Sequence, residues 1–102
     1  MHFYIYLLYS ESSDKYYVGY SRDPLKRLTE HNTVDHPTFT SKHRPWHLKA
    51  IFEAGKTKSN AIEMERFIKK QKSRKLLESL ADPQFQPTGI LAQLIRVPHM
   101  RD

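Results

Sequence analysis

The sequence predicts an α/β (α+β) domain in which a three-stranded antiparallel sheet is flanked by helices. Three observations carry that expectation. Phe3, Ile5 and Leu7 alternate with Tyr4, Tyr6 and Leu8, and the polar stretch Ser10 to Lys15 joins this run to Tyr16-Tyr17-Val18, the pattern of a β-hairpin. Asp23-Pro24 supplies an N-cap with proline at the first helical position, so Leu25 to His31 continues as a helix. His47 to Glu53 alternates as a third strand, and helical periodicity resumes beyond Gly55. At 102 residues the chain has length for one hydrophobic core and not for two.

On the hairpin, alternate tyrosines share a face, which sets Tyr6 and Tyr17 on paired strands. In the first helix Leu25 and Leu28 point one way as anchors, while Arg27 and His31, four residues apart, stack on a neighbouring, presented face; Asn32 closes the helix as its C-cap. Thr33 to Pro45 reads as a loop whose ends Phe39 and Trp46 pin to the core, and its segment Thr40 to Arg44, with Lys42 and Arg44, is either a phosphate contact or a connector. The third strand sets Leu48, Ala50 and Phe52 on one side.

Lys58-Ser59-Asn60 opens a helix from Ala61 to about Gln71, and Ser73 caps a shorter one through Leu80. Helical projection separates two glutamates: Glu65, with Ala61 and Ile62 a turn before it and Ile68 a turn after, emerges on the core-facing side, whereas Glu63 faces water. A carboxylate held against an apolar stripe requires a metal or cation partner, because leaving it charged and unpaired costs several kcal/mol. The tail from Ala81 to Asp102, punctuated by Pro83, Pro87 and Pro98, fits either a short packed helix or an extended clasp and carries no assignable chemistry.

Charge is concentrated. Residues 1–55 hold seven Lys/Arg against six Asp/Glu, so the net charge of +6 arises between Lys56 and Lys75, where eight basic residues face only Glu63 and Glu65. Such a patch attracts a polyanion and releases its counterions, which makes nucleic acid the first partner to consider and Lys69, Lys70, Lys72, Arg74 and Lys75 the candidate backbone contacts. The bland reading of the same run is a solvated helix face. The absence of cysteine removes disulfides and thiolate metal sites. The N-terminus begins directly with strand-like sequence and no apolar run approaches membrane-spanning length, so a soluble, cytoplasmic protein without a membrane partner is expected.

Tyr4-Ile5-Tyr6, Tyr17-Val18-Gly19, Arg27-Leu28 with His31-Asn32, and Ala61 to Glu65, in that order, resemble the GIY-YIG endonucleases. The resemblance covers roughly residues 2–80 and is nearest to the small stand-alone bacterial members related to the N-terminal incision domain of the excision-repair nuclease. It implies a nuclease domain over residues 1–80, with 81–102 packed on the same domain as a tail. Two positions depart from the pattern: Tyr4 replaces the glycine of the first triplet, and Tyr20 stands where the repair nucleases carry a basic residue.

The resemblance implies a divalent-metal-dependent endonuclease that hydrolyses DNA phosphodiester bonds in repair or processing of structured DNA, leaving a 3′-hydroxyl and a 5′-phosphate. The implied catalytic set is Tyr6, Tyr17, Arg27, His31 and Glu65, on one sheet face. Glu65 holds a single Mg²⁺ or Mn²⁺, mostly hydrated, since one carboxylate does not support a two-metal site. Arg27 forks onto non-bridging phosphate oxygens. Tyr17 or Tyr6 orients and deprotonates the water, with help from a neighbour because a free phenol titrates near 10; His31 accepts the tyrosine's proton or bonds the phosphate. Specificity comes from DNA structure or from a partner protein. The competing expectation is a nucleic-acid-binding module or adaptor that keeps the nuclease fold with little catalysis.

Overall fold

A computed structural model of the chain describes residues 2–33 and 40–98. Phe39, expected to pin the loop, lies outside the described residues. The elements run β1 (Tyr4–Ser10), β2 (Lys15–Ser21), α1 (Pro24–Thr33), a 3₁₀ turn (Thr40–His43), β3 (Trp46–Glu53), α2 (Lys58–Lys70), α3 (Arg74–Ala81), a second 3₁₀ turn (Gly89–Gln93) and β4 (Ile95–Arg96). The sheet is antiparallel throughout, in the order β2-β1-β3-β4. It therefore has four strands rather than three. The added one is two residues long, too short to show any alternation in sequence. Arg96 fastens it by donating to the carbonyls of Leu80 at 2.7 Å and Asp82 at 2.8 Å.

Helices cover both faces of the sheet, which explains the unbroken burial of Ile5, Tyr6, Leu7 and Leu8 in the central strand β1. Ile5 and Leu7 face α2 and α3, joining Val18, Ala50, Phe52, Met64, Ile68 and Leu80; Leu91 and Leu94 of the C-terminal segment complete this cluster. Tyr6 and Leu8 face α1, with Trp46, Tyr17, Leu28 and Leu48. Leu48 was expected beside Ala50 and Phe52. The pairing between β1 and β3 shifts between Leu7 and Leu8, so that Ala50 opposes Leu7 while Leu48 opposes Leu8 and Lys49 is the extra residue of a bulge. That single residue turns Leu48 to the other face.

The helices begin as their caps require. The Asp23 carboxylate accepts from the Lys26 amide at 3.1 Å, Thr57 Oγ1 from the Asn60 amide at 3.2 Å, and Ser73 Oγ from the Leu76 amide at 3.0 Å. Along α2, Ala61, Met64 and Ile68 form the buried stripe. In α1 only Leu28 anchors. Leu25 is 52% exposed, since Pro24 and His31 supply the buried positions. Asn32 lies within α1 and does not cap it; its side chain accepts from the Trp46 amide at 2.7 Å and donates to the Trp46 carbonyl at 3.1 Å, locking the start of β3 to the helix. No helix among the described residues is long and apolar enough to cross a membrane.

Candidate active site

Register fixes the centre of the site. Tyr6 of β1 opposes Gly19 of β2, and Leu8 opposes Tyr17, so the two phenols are diagonal neighbours on one face with ring centroids 6.3 Å apart. Tyr6 is only 1% exposed, and its hydroxyl lies 2.9 Å from His31 Nε2. Gly19 creates the room for it: a Cβ at position 19 would fall 2.5 Å from the Tyr6 oxygen and 2.6 Å from Cζ. The second triplet's glycine therefore makes space for the first triplet's tyrosine, rather than serving the tyrosine in its own triplet.

Arg27, one turn before His31 on α1, places its guanidinium beside the Tyr6 hydroxyl and donates to Glu30 at 2.8 Å. Burial is the larger influence on Tyr6 and pushes its phenol up to about 12, although Arg27 pulls the other way. Burial and the Arg27 charge hold the His31 imidazolium form down, which leaves a neutral ring at neutral pH. A protonated phenol and a neutral imidazole thus share the Tyr6–His31 bond. The hydrogen bond to Tyr6 in turn raises Arg27, keeping its charge fixed.

These side chains border a cavity of about 300 Å³ whose walls are Tyr6, Tyr17, Gly19, Tyr20, Arg27, Lys58 and Glu65. Sequence reasoning set the site on one sheet face. The cavity instead straddles the edge strand β2: Tyr6, Tyr17 and Arg27 come from the α1 layer, and Tyr20, Glu65 and Lys58 from the α2 side. Glu65, with a side chain 14% exposed, is paired with Lys69 Nζ at 3.4 Å. That ammonium also sits 5.7 Å from the centroid of the Tyr17 ring.

Four of the five expected catalytic residues, Tyr6, Tyr17, Arg27 and Glu65, line this cavity. His31 is buried behind them, bonded to Tyr6 and edge-on to Tyr17 at 4.8 Å. It reaches the cavity only through the phenols, not as the presented basic residue the helix projection suggested. Lys58 and Tyr20 were missed. Lys58 precedes Glu65 by seven residues, two helical turns, so a signal for it was present in the spacing.

Of the expected nucleic-acid contacts, Lys69, Lys72 and Arg74 line one hollow and the others lie elsewhere on the surface. Lys69 and Lys72 border Tyr17, while Lys70 borders a separate hollow with Glu63 and Arg66. Arg74 is engaged with the Asp14 carboxylate and backbone carbonyl and with Glu78 at 3.2 Å, tying α3 to the hairpin turn. Arg44 donates from Nε to the His31 carbonyl at 2.7 Å, which makes it a tie across the end of α1. Lys42 and Lys75 are exposed, on the first 3₁₀ turn and on α3.

No group of three or more His, Cys, Asp or Glu side chains among the described residues forms a metal cage, so any cation at this site would rest on Glu65 and water. No curated protein matches the sequence. A family model described as the GIY-YIG catalytic domain matches residues 2–78, which comprise β1 through most of α3 and every residue lining the cavity. The chain belongs to the GIY-YIG family of nucleases.

Proposed function

We propose that the protein is a divalent-metal-dependent endonuclease that hydrolyses DNA phosphodiester bonds. The observation that carries this reading is the convergence of three phenols, a guanidinium, an ammonium and a largely buried carboxylate on one cavity at the sheet edge. The donor set fits one hard cation: a single carboxylate beside about 300 Å³ of open space leaves room for the waters that Mg²⁺ or Mn²⁺ retains. Bound at Glu65, such an ion would draw charge from a phosphate oxygen and from the departing 3′ oxygen.

The protein's own groups then divide the remaining work. Arg27, permanently charged, seats a non-bridging phosphate oxygen, and Lys58 adds a second positive charge from the opposite wall. Tyr6, held protonated by burial and bonded to His31, positions and donates rather than abstracting a proton. Tyr17, once its own proton has passed to solvent, orients the attacking water and takes its proton as the water oxygen bonds to phosphorus; the bond to the 3′ oxygen breaks and that oxygen takes a proton from solvent. His31 positions both phenols: one by hydrogen bond, the other by edge-on ring contact. The products are a 3′-hydroxyl and a 5′-phosphate.

The test is incubation of the purified protein with nicked, branched, single-stranded and duplex DNA plus Mg²⁺ or Mn²⁺, beside Glu65→Ala and Arg27→Ala. Metal-dependent products that disappear with both substitutions support the reading. Equal products from all three proteins, or DNA binding without cutting by the wild type, contradict it.

A further inference from the structure

A second hollow, of about 470 Å³, lies beside the catalytic cavity, between the start of β2 and the turn joining α2 to α3. Tyr17 and Lys69 border it, and Tyr17 also lines the catalytic cavity, so a single phenol separates the two. Its size falls within the roughly 300–1,000 Å³ of sites that take small organic groups. The surface is of two kinds. Val18, Ile68 and Leu77 give hydrocarbon, and Tyr16 and Tyr17 add aromatic surface on which the Arg74 guanidinium and the Lys69 ammonium already lie, 5.3 Å and 5.7 Å from the ring centroids; a flat heterocycle loses water favourably against such a surface of hydrocarbon, ring and guanidinium plane.

Lys15 and Lys72 add cations that have no ion pair with any other described residue, beside Lys69. Lys72 stands at φ +48° in the α2–α3 turn, where its amide donates to the Lys69 carbonyl at 3.2 Å, so the turn holds two lysines at the hollow's edge. The hollow's acid, Asp14, is already neutralised by Arg74 and does not oppose an anion. Hydrocarbon, phenol and ammonium together match a nucleotide, and not a bare phosphate or an apolar ligand.

We propose that this hollow receives one unstacked nucleotide of the strand adjoining the phosphodiester in the catalytic cavity, the base against the Tyr16 and Leu77 side and its phosphate on Lys15 and Lys72. The substrate class follows: DNA with an unpaired nucleotide next to the cut, as at a flap or gap. Continuous duplex keeps its bases stacked and offers such a hollow only its phosphates. The position relative to the cut rests on the endonuclease reading; the hollow's preference for an unpaired nucleotide does not.

The experiment is therefore a binding measurement in EDTA, with a branched duplex carrying 2-aminopurine at its first unpaired position and a fully paired duplex of the same sequence as competitor. The intact chain is expected to bind the branched probe on the order of tenfold more tightly than the duplex, with a change in 2-aminopurine emission on saturation. Lys72→Glu, an exposed substitution outside the core, is expected to abolish that preference. Equal affinity for both DNAs, or emission unchanged at saturation, would overturn the proposal. If emission and preference appear as expected and no DNA is cut when Mg²⁺ or Mn²⁺ is added, the hollow is supported and the endonuclease reading fails. Cutting of both DNAs at equal rates with a silent probe fails the hollow alone.

Discussion

Toward α2 and α3, the sheet meets Ala61, Met64, Ile68 and Leu80 with Ile5, Leu7, Val18 and Phe52, a surface made of hydrocarbon. Toward α1, the same strands present Tyr6, Tyr17 and Trp46 to His31 and Leu28. The first face gains from burial alone. The second must satisfy the hydroxyls and ring nitrogens it buries, and Tyr6 and His31 do so for each other through their hydrogen bond. Apolar burial is therefore concentrated on one face and buried polar groups on the other, and β1 serves both because alternate residues point to opposite sides. Glu65 and Lys58 extend from the apolar layer around the β2 edge into the polar one.

Substitutions can break this division. Phe52→Ala, in the hydrocarbon layer, should cost about 3–5 kcal/mol in urea unfolding, a large fraction of the roughly 5–15 kcal/mol available to a small domain. A loss under 1 kcal/mol would show that this face does not dominate stability. Glu65→Gln should leave the urea midpoint nearly unchanged and lower the DNA cleavage rate about 10²- to 10³-fold. A stability loss as large as that of Phe52→Ala would make Glu65 a structural residue.

Gly19→Ala sharpens the comparison because its Cβ presses on the Tyr6 ring without touching the apolar face. We expect a stability loss of about 1–3 kcal/mol with a slower cleavage rate, and substitution of Tyr6 by a smaller side chain should relieve the stability loss. The smallest effect is in pH dependence. His31 is held below its ordinary value of 6.5, so the unfolded chain binds the proton first. Its contribution to stability is complete above about pH 6.5 and is lost as pH falls through the lower folded value. His31→Gln should flatten that slope in urea midpoints measured from pH 8 to 5.

Much of this organisation is legible in the sequence because it depends on local periodicity. The hairpin alternation pairs the two tyrosine triplets, the α2 projection separates half-buried Glu65 from exposed Glu63, and Ser73 caps α3 as its position before Arg74 suggests. What escapes depends on pairing between distant segments. The bulge at Lys49 that reverses Leu48 has no compositional mark, and β4 is defined only by its partner β3. Asn32 reads as a helix cap until Trp46 is brought against it. The clash that requires glycine at position 19 likewise arises only once β1 and β2 are in register.

A carboxylate from one layer and phenols from the other share one cavity, and the proposed cation would bind there. Mn²⁺ titration of the intact protein, followed by NMR of its aromatic ring resonances, tests that binding most directly through paramagnetic broadening. We predict that the ring signals of Tyr6, Tyr17 and His31 broaden first, and that Glu65→Gln abolishes the effect. Broadening that begins at other rings, or that persists unchanged in Glu65→Gln, would contradict the account.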